Sequence, residues 1–312
     1  MNPKMKAVML YAYGGNDVVQ CLEIDRPEPR AGEVLVKIHA AGVNPVDWKI
    51  RGGMGQRMGL ELPIHLGGEI AGTVEAFENG VGGVDGFGVG DPVFGIIGTG
   101  GFAEYAAVKV ADLTRKPANL DFVHSAAVPL GALTAWQALF DLGRLTAGQR
   151  LLVTGGSGGV GSLAIQIAKA RGAHVTAMAS GRNERFVRSL GVDEFIDYTK
   201  QPFEQVAKDM DVVFDTVGGD TFQRAFYALK KGGVLVTAVA FPKDEGQPFG
   251  VRAARVFCKS DQVQLAAIRG LVEAGQLKPH VATVLQLSDV REALALSEAG
   301  RTQGKIVLQI AA

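Results

Sequence analysis

The chain has 312 residues, enough for two domains that each bury a core of their own. Its 32 basic side chains equal its 32 acidic ones, which leaves no excess positive charge to follow a nucleic-acid backbone or an anionic membrane; a small-molecule partner is favoured. Two cysteines, Cys21 and Cys258, are too few and too distant in sequence for a disulfide framework or a four-thiolate zinc site, so a reducing, cytoplasmic setting is expected.

Met1 to Val8 lacks the basic-then-apolar pattern of a signal peptide, and the longest uncharged stretches are broken by Pro129 or by glycines, so no membrane span is expected. To about residue 125 the sequence offers short β-rich runs, Lys6 to Leu10, Glu33 to Ala40 and Glu69 to Phe77, separated by Gly, Pro and Asp turns. From about Ser125 to Ser260 strands alternate with helical segments: Leu151 to Thr154, His174 to Ala179, Glu194 to Asp197, Asp211 to Asp215 and Val234 to Ala238 read as strands. That alternation predicts βαβ units and a parallel sheet, completed by a sixth strand near Ala254 to Phe257. Helices from about Asp261 to Ala274 and from Ser288 to Ala299 precede a last strand, Lys305 to Ile310. This tail is expected to return in part to the first domain. The reading is an α/β chain: a β-domain over 1–125 completed by about 275–312, and a doubly wound domain over 126–274.

The strongest local signal is Thr154-Gly155-Gly156-Ser157-Gly158-Gly159-Val160-Gly161, which follows a buried strand and opens the apolar helix Ser162 to Arg171. Gly156, Gly158 and Gly161 satisfy G-x-G-x-x-G. Such a turn needs one glycine for the sharp bend, one to let the backbone reach a pyrophosphate, and one for close helix–strand packing. The helix N-terminus then donates N–H groups to phosphate oxygens. No Gly-Lys-Ser/Thr ends the turn, which excludes a P-loop. At the end of the second strand, NAD enzymes place an acid against the ribose 2′-hydroxyl. This chain reads Ala179-Ser180-Gly181-Arg182-Asn183 there, with a hydroxyl and a guanidinium to bind a 2′-phosphate and no carboxylate to repel it. NADPH is therefore preferred; the alternative for Arg182 is the start of a solvated helix.

Together with Gly42-Val43-Asn44-Pro45-Val46-Asp47-Trp48-Lys49, Leu62-Pro63 to Gly72, Gly90-Asp91-Pro92-Val93, Gly101-Phe102-Ala103-Glu104-Tyr105 and Gly304-Lys305, these features resemble the medium-chain dehydrogenase/reductase superfamily. The likeness is to its quinone oxidoreductase and alkenal/enone reductase branch and extends over essentially the whole chain. It implies a GroES-like β-domain interrupted in sequence by a Rossmann domain. Zinc-dependent relatives carry a catalytic Cys where this chain has Asn44, and Gly-His-Glu where it has Gly67-Gly68-Glu69. A catalytic zinc needs three protein ligands around an open position, and none is expected here; His39 and His65 read as hydrogen-bonded packing residues.

Without a Lewis acid, oxidation of unactivated alcohols is hard, whereas hydride addition to an acceptor that delocalises charge remains open. The resemblance thus implies NADPH-dependent reduction of an enone or quinone, with Lys49 as the donor that steadies the developing oxyanion and Asn44 and Asp47 shaping the polar end of the pocket. The alternatives are a surface lysine at Lys49 and a structural hydrogen-bonding role at Asp47. Enoyl thioester reductases of the superfamily it resembles use a tyrosine after this motif as proton donor; none lies between Trp48 and Leu60 here, which disfavours acyl-thioester reduction and leaves solvent as a proton source. By position, Thr134, Val217, Gly218, Ala240, Phe241, Phe257 and Cys258 are assigned to the ribose and nicotinamide, and Tyr198 to the adenosine part. Thr134 reads otherwise as a helix-start residue, Tyr198 as a buried tyrosine with a satisfied hydroxyl, and Phe257 and Cys258 as sheet-edge packing. Met54 to Leu60 and Phe241 to Gly250 are candidate pocket-lining loops. A homodimer through the last Rossmann strand is the family expectation. The competing reading is a non-catalytic, NADPH-binding or redox-sensing protein.

Overall fold

Strand-forming runs punctuated by glycine dominate the start of the computed structural model, which describes residues 3–78 and 86–311. Met1 and Asn2, the first residues of the segment read for a leader, lie outside them. The strands are β1 (Lys4–Leu10), β2 (Val19–Asp25), β3 (Glu33–Val43), β4 (Ile64–His65), β5 (Glu69–Phe77), β6 (Pro92–Ile96), β7 (Tyr105–Lys109) and β8 (Leu113–Arg115). Next come β9 (Arg150–Thr154), β10 (His174–Ala179), β11 (Glu194–Asp197), β12 (Met210–Asp215), β13 (Leu229–Thr237) and β14 (Arg252–Arg255). The tail adds β15 (Val281–Gln286) and β16 (Lys305–Gln309).

The chain divides into two units, Met1–Leu130 with Ser260–Gly270 and Pro279–Ala312, and Gly131–Lys259 with Leu271–Lys278. In the first, one sheet has the order β2-β1-β4, and a larger one runs β15-β16-β3-β5-β6-β8 with β7 also paired to β3. The tail rejoins the first unit through β16, which lies antiparallel to β3 with Ile306 opposite Val43 and Gln309 opposite Ala40. Ile38, Ile70, Phe102, Leu113, Leu294, Ile306 and Leu308 share one buried cluster, so residues from both ends of the chain close the same core. Each such side chain contributes roughly 1.5–3 kcal/mol on burial. Arg51, only 4% exposed, adds an ion pair to Glu298 at 2.8 Å. β2 buries only its first residue, Val19, and β15 alternates half-buried with exposed residues; neither has the apolar run that reveals a strand in sequence.

In the second unit the described residues form a six-stranded sheet in the order β11-β10-β9-β12-β13-β14, parallel throughout. Counted from β9, that order is 3-2-1-4-5-6, the doubly wound pattern. Leu151, Leu152 and Val153 on β9, and Val213 and Phe214 on β12, are fully buried, as expected for central strands covered on both faces. The sixth strand differs from the sequence reading: it spans Arg252–Arg255, two residues ahead of the expected Ala254 to Phe257. Register decides this. Pairing with β13 runs from Val234–Arg252 to Thr237–Arg255, so the apolar pair Val256-Phe257 falls beyond the strand's end. The order of the strands reverses between β9 and β12, and ligands of such sheets bind beyond the carboxyl ends at that point. Among the described residues no helix is long and apolar enough to cross a membrane.

Candidate active site

At the carboxyl end of β9 the chain bends at Gly155, whose φ of +67° is strained for any residue with a side chain. The sharp bend thus sits one residue ahead of the G-x-G-x-x-G pattern. The helix Gly159–Ala170 then starts, with Gly158 as its N-cap. A Cβ on Gly161 would lie 2.3 Å from the Gly155 carbonyl oxygen, so only glycine lets the helix seat on the turn. A Cβ on Gly156 would press against Ala177 at 3.1 Å and Ile165 at 3.2 Å. Leu163, Ala164, Ile165, Ile167 and Ala168 of this helix are buried, and its first N–H groups have no intrahelical acceptor. A glycine cradle under a helix N-terminus fits a pyrophosphate.

The end of β10 joins this turn. The Asn183 amide donates to the Ser157 hydroxyl at 3.0 Å and to the Ser180 hydroxyl at 3.3 Å, which brings three of the assigned residues into one cluster. Arg182 is exposed in the same tight turn, Gly181–Asn183. One part of the sequence reading needs correction here: a carboxylate does lie beside this turn. Asp197, at the end of β11, approaches Gly181 so closely that a Cβ there would meet its Oδ2 at 2.3 Å. Its Oδ1 accepts from the Thr199 hydroxyl at 2.7 Å and the Thr199 N–H at 3.0 Å. With the Gly181 N–H and Lys200 also turned to it, Thr199 holds its pKa below the usual carboxylate range. Neighbouring strand ends, rather than neighbouring residues, put it there.

Tyr198 follows directly and is 55% exposed. Thr134 is buried inside the helix Pro129–Trp136 and does not start it, because Pro129 occupies the first helical position. Val217 is exposed and Gly218 buried just past β12, while Ala240 and Phe241 follow β13. Phe257 and Cys258 lie beyond β14 rather than on it. Arg255, which the sequence did not single out, stacks its guanidinium 3.6 Å from the Phe241 ring centroid and 4.8 Å from that of Phe257.

In the first unit, Asn44 and Asp47 are 2% and 1% exposed and belong to a buried polar cluster with Glu69 and Lys305. Asn44 Nδ2 donates to Glu69 Oε1 at 2.7 Å. The Lys305 ammonium donates to that same oxygen at 2.5 Å and to Asn44 Oδ1 at 2.5 Å. Glu69 Oε2 accepts the Leu130 N–H at 2.7 Å. Asp47 Oδ2 accepts the Asn44 N–H at 2.7 Å, which caps the short helix Pro45–Lys49. Burial pushes the Asp47 pKa up to about 7, against the N–H groups of Asn44 and Gly67 and the Lys305 charge, which pull it down. Lys49 closes that helix half-buried, with Nζ 5.4 Å from the Trp48 ring centroid. Met54 to Leu60, read as a loop, is mostly helical: Gly55 packs against Ile50, Ile64 and Tyr13, and the Tyr13 hydroxyl donates to the Leu60 carbonyl.

His39 stacks on Phe122 at 4.2 Å and reaches Thr73 Oγ1 at 3.3 Å; burial lowers its pKa, as it does that of His65. Among the described residues no three His, Cys, Asp or Glu converge as metal ligands. Where a zinc ion would need donors, an amide oxygen and a carboxylate oxygen are already taken by an ammonium.

A doubly wound parallel sheet with this turn at its switch point defines a dinucleotide-binding α/β protein. Comparison with known proteins narrows the class. Residues 30–118 match the alcohol dehydrogenase GroES-like domain family, and 190–308 a family described as zinc-binding dehydrogenase. The chain is 34% identical to the mitochondrial NAD(P)H oxidoreductase of Danio rerio, over 98% of this chain and 91% of that protein. It is 35% identical to the chloroplastic NADPH-dependent alkenal/one oxidoreductase of Arabidopsis thaliana, over 98% and 79% respectively. The solved structure of the quinone oxidoreductase from Coxiella burnetii superimposes with a TM-score of 0.91 at 31% identity, covering 98% of this chain and 99% of that one. The chain belongs to the medium-chain dehydrogenase/reductase superfamily, in its quinone oxidoreductase and alkenal reductase branch.

Proposed function

We propose that this oxidoreductase uses NADPH to reduce a quinone or an α,β-unsaturated carbonyl compound, without zinc. The observation that carries the metal-free part is the Lys305 ammonium on Asn44 Oδ1 and Glu69 Oε1: a fixed internal cation occupies the donor atoms that a Lewis acid would need. The glycine turn supports the cofactor assignment, together with the relatives named for NADPH and NAD(P)H. Gly156, Ser157, Gly158, Gly159, Val160 and Gly161 bind the pyrophosphate; Ser180, Arg182 and Asn183 bind the 2′-phosphate. Thr134, Tyr198, Val217, Gly218, Ala240, Phe241, Phe257 and Cys258 surround the remainder.

Bound NADPH supplies a hydride. The acceptor's oxygen gains negative charge, and Lys49 donates a hydrogen bond to it. Asn44 and Asp47 act from beneath, by fixing the start of the helix that carries Lys49. Solvent provides the proton that completes the reduction. The catalytic role is assigned to the β-rich domain, 1–125 completed by about 275–312, and cofactor binding to 126–274. A homodimer through the β14 edge and a cytoplasmic location complete the proposal.

The test is NADPH consumption by purified protein across a panel of quinones and enones, before and after dialysis against a chelator, with bound metal quantified. Turnover that survives dialysis supports the proposal. One stoichiometric zinc ion whose removal abolishes turnover refutes the metal-free reading, and no consumption with any acceptor refutes the reductase reading.

A further inference from the structure

The carboxyl ends of β9, β12 and β13 are laced together by one carboxylate. Asp215, the last residue of β12, is fully buried. Its Oδ1 accepts from the Thr154 hydroxyl of β9 at 2.9 Å and from the N–H groups of Val217 at 3.1 Å and Gly218 at 3.0 Å. Its Oδ2 accepts from the Thr237 hydroxyl of β13 at 2.8 Å. Both hydroxyls also accept. Thr237 Oγ1 accepts the N–H groups of Val239 at 3.1 Å and Ala240 at 3.0 Å, and Thr154 Oγ1 accepts the Thr216 N–H at 3.1 Å.

A loop that leaves a parallel strand loses its ladder partners, and its N–H groups need other acceptors. Here the proton inventory fixes who supplies them. A threonine hydroxyl has one proton, and both threonines give theirs to Asp215, so each oxygen faces its loop purely as an acceptor. We propose that Asp215 is a positioning residue that, through Thr154 and Thr237, orders the two loops holding the ribose and nicotinamide of the cofactor. This rests on the assignment of Val217, Gly218, Ala240 and Phe241 to that half of NADPH. Asp215 itself is fully buried, so its effect is transmitted through the loops. An asparagine in its place keeps the shape but brings an amide donor to one hydroxyl, whose proton then turns toward the loop N–H groups.

The test is calorimetric titration with NADPH of the unsubstituted protein and of Thr237→Val, Thr237→Ser and Asp215→Asn, with hydrogen exchange followed at residues 239–240. Thr237→Val retains the branched shape and loses only the hydroxyl. The expected result is a Kd raised about tenfold or more in Thr237→Val and Asp215→Asn, faster exchange at Val239 and Ala240, and near-normal affinity restored by Thr237→Ser. Affinity within twofold of the unsubstituted protein in Thr237→Val, or a loss that Thr237→Ser fails to reverse, overturns the proposal. Asp215→Asn decides by the same twofold limit if Thr237→Val does not fold. Absence of NADPH binding by the unsubstituted protein refutes instead the cofactor assignment beneath it.

Discussion

Replacing Lys305 with Met probes the buried cluster most directly. Lys305 is 6% exposed and Glu69 not at all, so their ion pair at 2.5 Å is shielded from water. Methionine retains most of the volume and the apolar stem. Among the described residues it leaves the Glu69 carboxylate to the Asn44 amide and the Leu130 N–H, and removes the ammonium from Asn44 Oδ1. Removing one partner of a buried pair costs about 3–5 kcal/mol, because the remaining charge stays desolvated. At about 2–4 °C per kcal/mol, the unfolding midpoint should fall by roughly 6–20 °C. Glu69→Gln in the same background removes the stranded charge while keeping an acceptor for Leu130, and should recover part of that loss. Thermal and urea unfolding of the parent, both single variants and the double variant complete a cycle whose coupling should reach about 2–3 kcal/mol. A loss below about 1 kcal/mol in Lys305→Met, or additive single effects, would refute a desolvated, mutually dependent pair.

Three further outcomes are expected. The Asp47 carboxyl rises from 3.8 to about 7 in the folded protein, so the folded state holds its proton more tightly than the unfolded chain. Its stabilising contribution is full below about pH 4 and is lost as pH rises to about 7; Asp47→Asn should remove that slope, of order 4 kcal/mol at most, from stability measured against pH. An unchanged slope in the variant would assign the titration elsewhere. Arg182→Ala should raise the KM for NADPH at least tenfold and leave that for NADH nearly unaltered, since a lost charge-assisted contact to phosphate matters only to the phosphorylated cofactor; equal changes count against the assignment. Lys49→Met should lower kcat by about 100-fold with the Kd for NADPH intact, in line with losing one oxyanion donor. Normal turnover would remove Lys49 from the mechanism.

The strand–turn–helix from Leu151 to Arg171 was legible because its signals are local: an apolar run, glycines at fixed offsets, then a helical period. The same holds for the five strands read between Leu151 and Ala238. Lys305 was visible only as part of a motif. Its contact with Glu69 spans 236 residues and exists because β16 pairs with β3 in one register. Asp197 reached the Ser180–Asn183 turn, and Asp215 the loops of β9 and β13, through the lateral order of parallel strands. Phe257 left the sheet for a similar reason, the pairing of β13 with β14. Periodicity and turn chemistry act over a few residues, so the sequence alone determined the central strands of the second unit and the glycine cradle, but not β2 and β15, whose faces lack an apolar run. Buried polar contacts depend on which distant strands become neighbours and in what register, so only the tertiary structure decided which charges meet and which loops they hold.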